Sequence, residues 1–181
     1  MRYACYHVGP LEVPGEISLI FTITGCPLRC HGCHSADLRS PVAGRLLEAA
    51  DFVSKLSRYH GLATCVCFLG GEWEPEELIA RLRDARAQGY RTCLYTGGTS
   101  IDDAIAVELD FLKLGPFVPE LGGLDTPGTN QRFLDLRTGR DLTAEFQRHA
   151  APSRTPEPLP KPVRPAQRPR EGILTPELSF A

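Results

Sequence analysis

The cysteines near the amino terminus form the pattern with the clearest chemistry. Cys26, Cys30 and Cys33 follow a Cys-x3-Cys-x2-Cys spacing. Three thiolates this close together can wrap one iron-sulfur cube, in which each thiolate binds a different iron. A cube of four irons held by three cysteines keeps one iron without a protein ligand. The pattern therefore predicts a 4Fe-4S cluster with one open position, where a small molecule can bind and be reduced.

Structural zinc is the competing interpretation of the same residues. A Cys3His site would use the three cysteines with His31 or His34 as the fourth ligand. Zinc does not explain why the cysteine loop follows the carboxyl end of an apolar strand, which is where α/β sheets bind ligands. It also leaves unexplained a glycine-rich motif at the end of the next strand. We therefore favour the cluster and keep zinc as the alternative.

That second motif is Gly70-Gly71-Glu72. Glycines let a ligand approach the backbone closely, and exposed carbonyl groups can accept hydrogen bonds from an ammonium group. Because the motif comes one strand after the cysteine loop, it predicts a ligand-binding turn beside the cluster. The side chain of Glu72 has a second explanation, since acidic residues commonly open helices.

Four other side chains have two interpretations each. Lys113 lies on an apolar strand, so its charge needs a partner, either a ligand carboxylate or an acid such as Asp110. Asn130 ends a long irregular loop, where it either holds the ligand or a partner chain or is simply solvated. Trp73 and Tyr95 come near strand ends and either stack on an adenine or pack in the core.

Alternation of strand, loop and helix positions these motifs. Apolar segments predict buried strands at residues 18–24, 64–69, 92–95, 111–114 and 131–136. Repeated strand-helix-strand units are typical of a parallel sheet. The roughly 150 residues involved are too few for a complete eight-fold barrel of about 250. The predicted fold is therefore α/β, an incomplete (βα) barrel with a mostly parallel sheet.

The intervening helices are predicted from apolar periodicity and from their end signals. One helix begins at Arg45, with an apolar face that includes Val53 and Leu56. The next begins at Pro75 and closes at Gly89. Shorter helices are predicted at residues 100–107 and 143–149, and an edge hairpin or loop at residues 1–16.

Composition limits the possible partners and the domain count. The net charge of −2 shows no polybasic excess, so we expect no nucleic-acid or membrane partner. The sequence shows no membrane span and no secretory signal, which predicts a cytoplasmic protein whose seven cysteines are reduced or metal-bound. Of these, Cys65, Cys67 and Cys93 are predicted to pack in the core. One catalytic domain is predicted at residues 1–149, followed by a proline-rich, disordered tail at residues 150–181.

With these motifs in place, the chain resembles the radical S-adenosylmethionine superfamily and, within it, the small activases of glycyl radical enzymes. The resemblance covers residues 5–136. It is carried by the cysteine loop, Gly70-Gly71-Glu72, Tyr95-Thr96-Gly97, Gly115-Pro116-Phe117-Val118 and Thr129-Asn130-Gln131-Arg132. The last two segments favour the activating proteins of anaerobic (class III) ribonucleoside-triphosphate reductase over those of pyruvate formate-lyase. The tail at residues 150–181 falls outside the resemblance.

The resemblance implies a mechanism. S-adenosylmethionine would bind the open iron through its amino and carboxylate groups, and the reduced cluster would cleave it to methionine and a 5′-deoxyadenosyl radical. That radical would abstract hydrogen from a glycine of the reductase's glycyl radical subunit. The implied cofactor-binding residues are Gly70, Gly71, Glu72, Thr96, Lys113 and Asn130.

The resemblance also implies a flavodoxin- or ferredoxin-type electron donor. Two alternatives remain within radical chemistry: activation of another glycyl radical enzyme of the pyruvate formate-lyase type, and a reaction on a small metabolite. A zinc-binding interaction module is the alternative outside it.

Overall fold

An eight-stranded sheet forms the centre of the protein in the computed structural model, which describes residues 1–33 and 35–148. The strands are β1 Arg2–Gly9, β2 Ser18–Ile23, β3 Arg45–Leu46, β4 Cys65–Leu69, β5 Arg91–Tyr95, β6 Phe111–Leu114, β7 Arg132–Asp135 and β8 Arg140–Asp141. Their order across the sheet is β3-β1-β2-β4-β5-β6-β7-β8. The predicted tail at residues 150–181 lies outside the described residues.

Four neighbouring strands of this sheet, β2, β4, β5 and β6, run parallel to one another. They are connected through the helices α1 Ala49–Tyr59, α2 Pro75–Ala87 and α3 Asp103–Ala106. On either side the pairing is antiparallel, between β1 and both β2 and β3, and between β7 and both β6 and β8. The α/β fold with a mostly parallel central sheet is thus confirmed. The incomplete barrel stays a prediction.

The central strands separate two apolar layers, because successive residues of a strand point to opposite faces. On the helix side, the rings of Phe21 and Phe68 stack with their centroids 5.6 Å apart, and both are fully buried. The opposite face carries Cys65, Cys67 and Cys93, which are buried and not joined in disulfides. Their predicted role as small core residues is confirmed.

Helix α2 has the start and the buried face that the sequence predicts. Pro75 is its first residue, where the missing N–H costs nothing because that group has no partner within the helix. Leu78, Leu82 and Ala85 recur at helical spacing and are buried against the sheet. Gly89 follows the helix with a φ of 82°.

The helix predicted from Arg45 begins instead at Ala49, and its predicted apolar face is confirmed at Leu56 but wrong at Val53. Residues 45 and 46 form β3, because their backbone pairs with the start of β1. The buried face of the helix is set by residues four apart on it. Phe52 and Leu56 are buried, whereas Val53 is 38% exposed.

The remaining segments flank the four parallel strands. Residues 1–16 contribute the antiparallel strand β1 and the turn that follows it. An irregular loop joins β6 to β7, as predicted, and α4 Thr143–Arg148 follows β8. No helix in the described part of the chain is both long enough and apolar enough to span a membrane.

Candidate functional site

The cysteine loop leaves the carboxyl end of β2, at the same edge of the sheet as the turns after β4, β5 and β6. Cys26, Cys30 and Cys33 are all partly exposed and have free thiols. The loop is fixed at its start by a hydrogen bond from Gly25 N to Leu38 O of 2.7 Å. Arg29, between the first two cysteines, has a φ of 48°, a left-handed conformation that residues with a side chain rarely adopt.

The turn after β4 holds the Gly-Gly-Glu motif. Gly70 has a φ of 86°, and a Cβ placed there would lie 2.5 Å from Cη2 of Trp73, so no larger residue fits. Its N–H donates to Tyr95 O at 2.9 Å, which joins this turn to the end of β5. Gly71 packs against Ile23 beneath the turn. The two glycines let the chain turn tightly and place Glu72 at the sheet edge.

A cavity of about 250 Å³ lies between these loops. Its lining includes six of the residues predicted for the site. These are Cys26, Cys33, Gly70, Glu72, Thr96 and Lys113. Trp73 and Tyr95 line it as well, so the structure places both aromatic rings at the cavity. Residues far apart in the chain therefore meet at one place.

Glu72 is the acceptor at the centre of this cavity. Its Oε1 accepts a hydrogen bond from Thr96 Oγ1 at 2.5 Å, and Thr96 in turn accepts from Gly98 N at 2.8 Å. Its Oε2 is buried and has no hydrogen-bond partner among the described residues. A buried carboxylate oxygen without a donor is costly. The arrangement suits a cationic donor supplied by a ligand.

Lys113 is the cation of the site and is only 8% exposed. Its Nζ donates to Gly115 O at 2.6 Å, and burial lowers its pKa to about 8, although the charges of Cys30 and Glu72 act in the opposite direction. Asp110, the alternative partner considered from the sequence, accepts instead from Thr92 N at 2.9 Å. Lys113 thus stays available to an anionic group in the cavity.

The three thiols lie close enough to influence one another. Burial raises the pKa of Cys26, a backbone hydrogen bond at Leu28 lowers it, and the charges of Glu72, Cys30 and Cys33 raise it further. Such a group of thiols becomes thiolates when positively charged metal binds, because metal inverts the local charge balance. The donor set therefore fits an iron-sulfur cluster.

A single metal ion such as zinc would need its ligands in a different arrangement from that around a cluster. Among the described residues, no three His, Cys, Asp or Glu side chains converge on one point where an ion could bind them all. Tetrahedral zinc needs its sulfur ligands at about 2.3 Å from one centre. In a four-iron cluster each cysteine binds a separate iron, so the sulfurs need not converge. His34 lies outside the described residues, and His31 is exposed.

Three of the predicted site residues do not line the cavity: Cys30, Gly71 and Asn130. Gly71 shapes the turn, as described above. Asn130 donates from Nδ2 to Pro116 O at 3.0 Å and so holds together the two ends of the 115–131 loop. A direct contact between Asn130 and a cofactor stays a prediction.

Several lining residues were not identified from the sequence. Thr22 is the second-last residue of β2, Leu69 is the last residue of β4, and Ser35 and Leu38 follow the cysteine loop. Strand alternation could have identified Thr22 and Leu69 as lining residues. It places Thr22, for example, on the same face of the sheet as the core residue Ile20. Nothing in the spacing pointed to the second pair.

The cysteine loop also packs against two other loops of the site. A Cβ on Gly32 would lie 2.6 Å from Pro119, and one on Gly97 would lie 2.8 Å from Leu28. The backbone of Gly32 therefore packs closely against Pro119, and the backbone of Gly97 against Leu28. These contacts pack the cysteine loop against the turn after β5 and the loop after β6.

Comparison with known proteins gives one informative similarity. No model of a known protein family matches the chain. Over 97 residues, half of this chain, the sequence is 34% identical to the pyruvate formate-lyase-activating enzyme of Clostridium pasteurianum. The match covers 40% of that enzyme, so the similarity extends over less than half of the relative's length.

Proposed function

We propose that this protein is a radical S-adenosylmethionine activase of a glycyl radical enzyme. The observation that carries the proposal is the cavity at the carboxyl ends of the parallel strands, where two cysteines of the loop meet Glu72, Thr96 and Lys113. The partial similarity to a pyruvate formate-lyase-activating enzyme supports it. When bound, the reduced cluster supplies the electron that cleaves S-adenosylmethionine into methionine and a 5′-deoxyadenosyl radical.

The chain's own residues have separate tasks in this proposal. Cys26, Cys30 and Cys33 hold the 4Fe-4S cluster and leave one iron open. Glu72, oriented by the hydrogen bond from Thr96, accepts from the ammonium group of the methionine moiety. Lys113, whose pKa of about 8 keeps it mostly protonated at neutral pH, balances the carboxylate of that moiety.

We further propose that the substrate is a glycine in a partner protein. The support for this is that the cavity is open, so that a loop of a partner protein can reach it. A partner chain that inserts a loop would complete the enclosure and exclude water from the radical. A flavodoxin- or ferredoxin-type protein would supply the electron.

The proposed partner is the glycyl radical subunit of anaerobic ribonucleoside-triphosphate reductase. The segments at residues 115–118 and 129–132 support this choice. They are the two ends of one loop, which the hydrogen bond from Asn130 to Pro116 holds together. Pyruvate formate-lyase is the second candidate, because the similar activating enzyme is named for it.

The test is anaerobic reconstitution with iron, sulfide, dithionite and S-adenosylmethionine, with each candidate partner in a separate sample. Electron paramagnetic resonance should show a glycyl doublet on the reductase. Cys26→Ala should abolish it, whereas Cys5→Ala, at an exposed cysteine of β1, should not. A doublet only on pyruvate formate-lyase would reassign the partner.

Two results would reject the activase itself. Methionine formation without a protein radical on either partner would favour a small-metabolite substrate. Bound zinc without iron in oxygen-free material would favour the interaction module.

A further inference from the structure

Trp73 is the chain's single tryptophan, and its indole nitrogen lacks a hydrogen-bond partner among the described residues. The nitrogen is also shielded from solvent. Buried indole N–H groups normally find an acceptor, because an unmade hydrogen bond away from water is unfavourable. None of the described residues accepts from this donor, so the N–H is available to a ligand.

The contacts of Trp73 show where such an acceptor would lie. Its ring lies against Gly70, where a Cβ would be 2.5 Å from Cη2. Its nitrogen lies against Gly25, where a Cβ would be 3.2 Å from Nε1. Gly25 directly precedes Cys26, and Trp73 and Cys26 line the same cavity. The donor is therefore held beside the first cysteine of the loop.

The other donor of the cavity has a different neighbourhood. Lys113 is charged and lies within electrostatic reach of Cys30 and Glu72, so it is the stronger partner for a ligand carboxylate. The uncharged indole N–H, beside Gly25, suits a softer acceptor. Sulfur bound to iron is the acceptor that the proposed function places at Cys26.

We propose that Trp73 is a positioning residue whose indole N–H donates a hydrogen bond to a sulfur of the bound iron-sulfur cluster, on the side held by Cys26. This inference rests on the proposed function. Hydrogen bonds to cluster sulfurs stabilise the reduced state, which carries more negative charge, and so raise the reduction potential. Trp73 would then tune the cluster's potential while its ring holds the Gly70 turn against the cysteine loop.

The first experiment uses the unaltered full chain. Protein labelled with ¹⁵N only in the indole is reconstituted anaerobically with iron and sulfide, assayed for iron, and reduced with dithionite. Pulsed electron paramagnetic resonance should then detect a ¹⁵N coupling to the cluster. Because the chain has one tryptophan, the signal can come only from Trp73.

The second experiment measures the midpoint potential by redox titration. Trp73→Phe keeps a ring over Gly70 but has no N–H, so its potential should shift to a more negative value and the ¹⁵N coupling should be absent. Tyr90→Phe is the matched control, because it also removes a buried hydrogen bond but at residues that do not line the cavity. That bond runs from Tyr90 Oη to Leu56 O and is 2.6 Å long. The potential of Tyr90→Phe should equal that of the unaltered protein.

Three results would overturn the inference while the proposed function stands. They are a fully loaded cluster without ¹⁵N coupling, an unchanged potential in Trp73→Phe, and weaker binding of S-adenosylmethionine by that variant at an unchanged potential. The third would assign the N–H to the ligand. If Trp73→Phe retains no cluster, the labelled, unaltered protein alone decides. If the unaltered protein binds no iron, the proposed function and this inference are both wrong.

Discussion

Glu72 shows how one side chain can combine a fixed geometry with an unmet hydrogen-bonding need. Thr96 fixes one carboxylate oxygen, whereas the other is buried without a donor. The hydrogen bond from Thr96 orients the carboxylate. The oxygen without a donor would favour binding of a cationic ligand. The cost of the unpaired oxygen in the empty protein is recovered when a ligand donates to it.

Replacing Glu72 with glutamine should therefore weaken S-adenosylmethionine binding without loss of iron. A hydrogen bond to a charged group contributes about 1.5 to 3 kcal/mol, which corresponds to a loss of affinity of roughly ten- to one-hundred-fold. Anaerobic calorimetry on cluster-loaded protein measures it. Glu76→Gln, at an exposed position of α2, is the control and should bind normally. Equal affinity in both variants would contradict the role of Glu72.

Gly70 gives a second prediction at the scale of the residue. Gly70→Ala should lower the free energy of unfolding both by left-handed strain and by a clash with Trp73. Gly15→Ala is matched, since Gly15 has a φ of 79° but no atom within 4 Å of the added Cβ. The control should lose about 1 to 2 kcal/mol, and Gly70→Ala about 1 to 3 kcal/mol more. Denaturant unfolding measures both, and equal losses would exclude the clash.

At the scale of the element, β7 depends on an ion pair at its end. Asp135 is 5% exposed and accepts from Arg137 Nη2 at 2.8 Å and from Arg137 Nε at 3.0 Å. These hydrogen bonds hold the pKa of Asp135 below its ordinary value. The guanidinium of Arg137 also lies 4.7 Å from the centroid of the Phe111 ring on β6. The pair therefore ties two neighbouring strands together.

The lowered pKa of Asp135 predicts a pH dependence of stability. Its contribution is complete above the unfolded pKa of about 3.9 and is lost as the pH falls through the lower folded pKa. Asp135→Asn should cost about 1 to 2 kcal/mol near neutral pH, with a smaller difference from the unaltered protein in acid. Urea unfolding across this pH range measures it. Asp103→Asn, at an exposed position of α3, is the control, and its free energy of unfolding should depend on pH as in the unaltered protein. If Asp135→Asn also showed the pH dependence of the unaltered protein, the prediction would be contradicted.

At the scale of the whole molecule, the site joins the loops that follow β2, β4 and β5 with Lys113 on β6. A ligand that contacts all of them binds only the folded protein and stabilises it by mass action, by about 2.7 kcal/mol at one hundred times its Kd. S-adenosylmethionine should therefore raise the Tm of the cluster-loaded protein. It should also protect residues 26–33, 70–73 and 96–98 from hydrogen exchange.

Anaerobic thermal unfolding and hydrogen-exchange mass spectrometry check this prediction. Glu72→Gln at the same ligand concentration is the control and should show a smaller shift in Tm. Protection confined to one of the three segments would mean that the loops do not form a single site.

Much of this protein was determined by local sequence. The cysteine spacing, the Gly-Gly-Glu motif and the apolar strands between them depend on residues near one another in the chain, so their chemistry and their place at strand ends could be predicted. The start of α1 could not, because β1 captures residues 45 and 46 through pairing across more than forty positions. The burial of Phe52 rather than Val53 was readable locally, because Phe52 lies four residues before the buried Leu56 on one helical face.

Only the tertiary structure decided which groups meet in the cavity. The hydrogen bond between Thr96 and Glu72, the assignment of Lys113 to Gly115 rather than Asp110, and the indole of Trp73 against Gly25 are all contacts set by the register of the sheet and the packing of its loops. The sequence shows the type of each side chain and its spacing along the chain, but not its distance from a residue on another strand. The sequence therefore determined which side chains the loop carries, and folding determined which groups surround them.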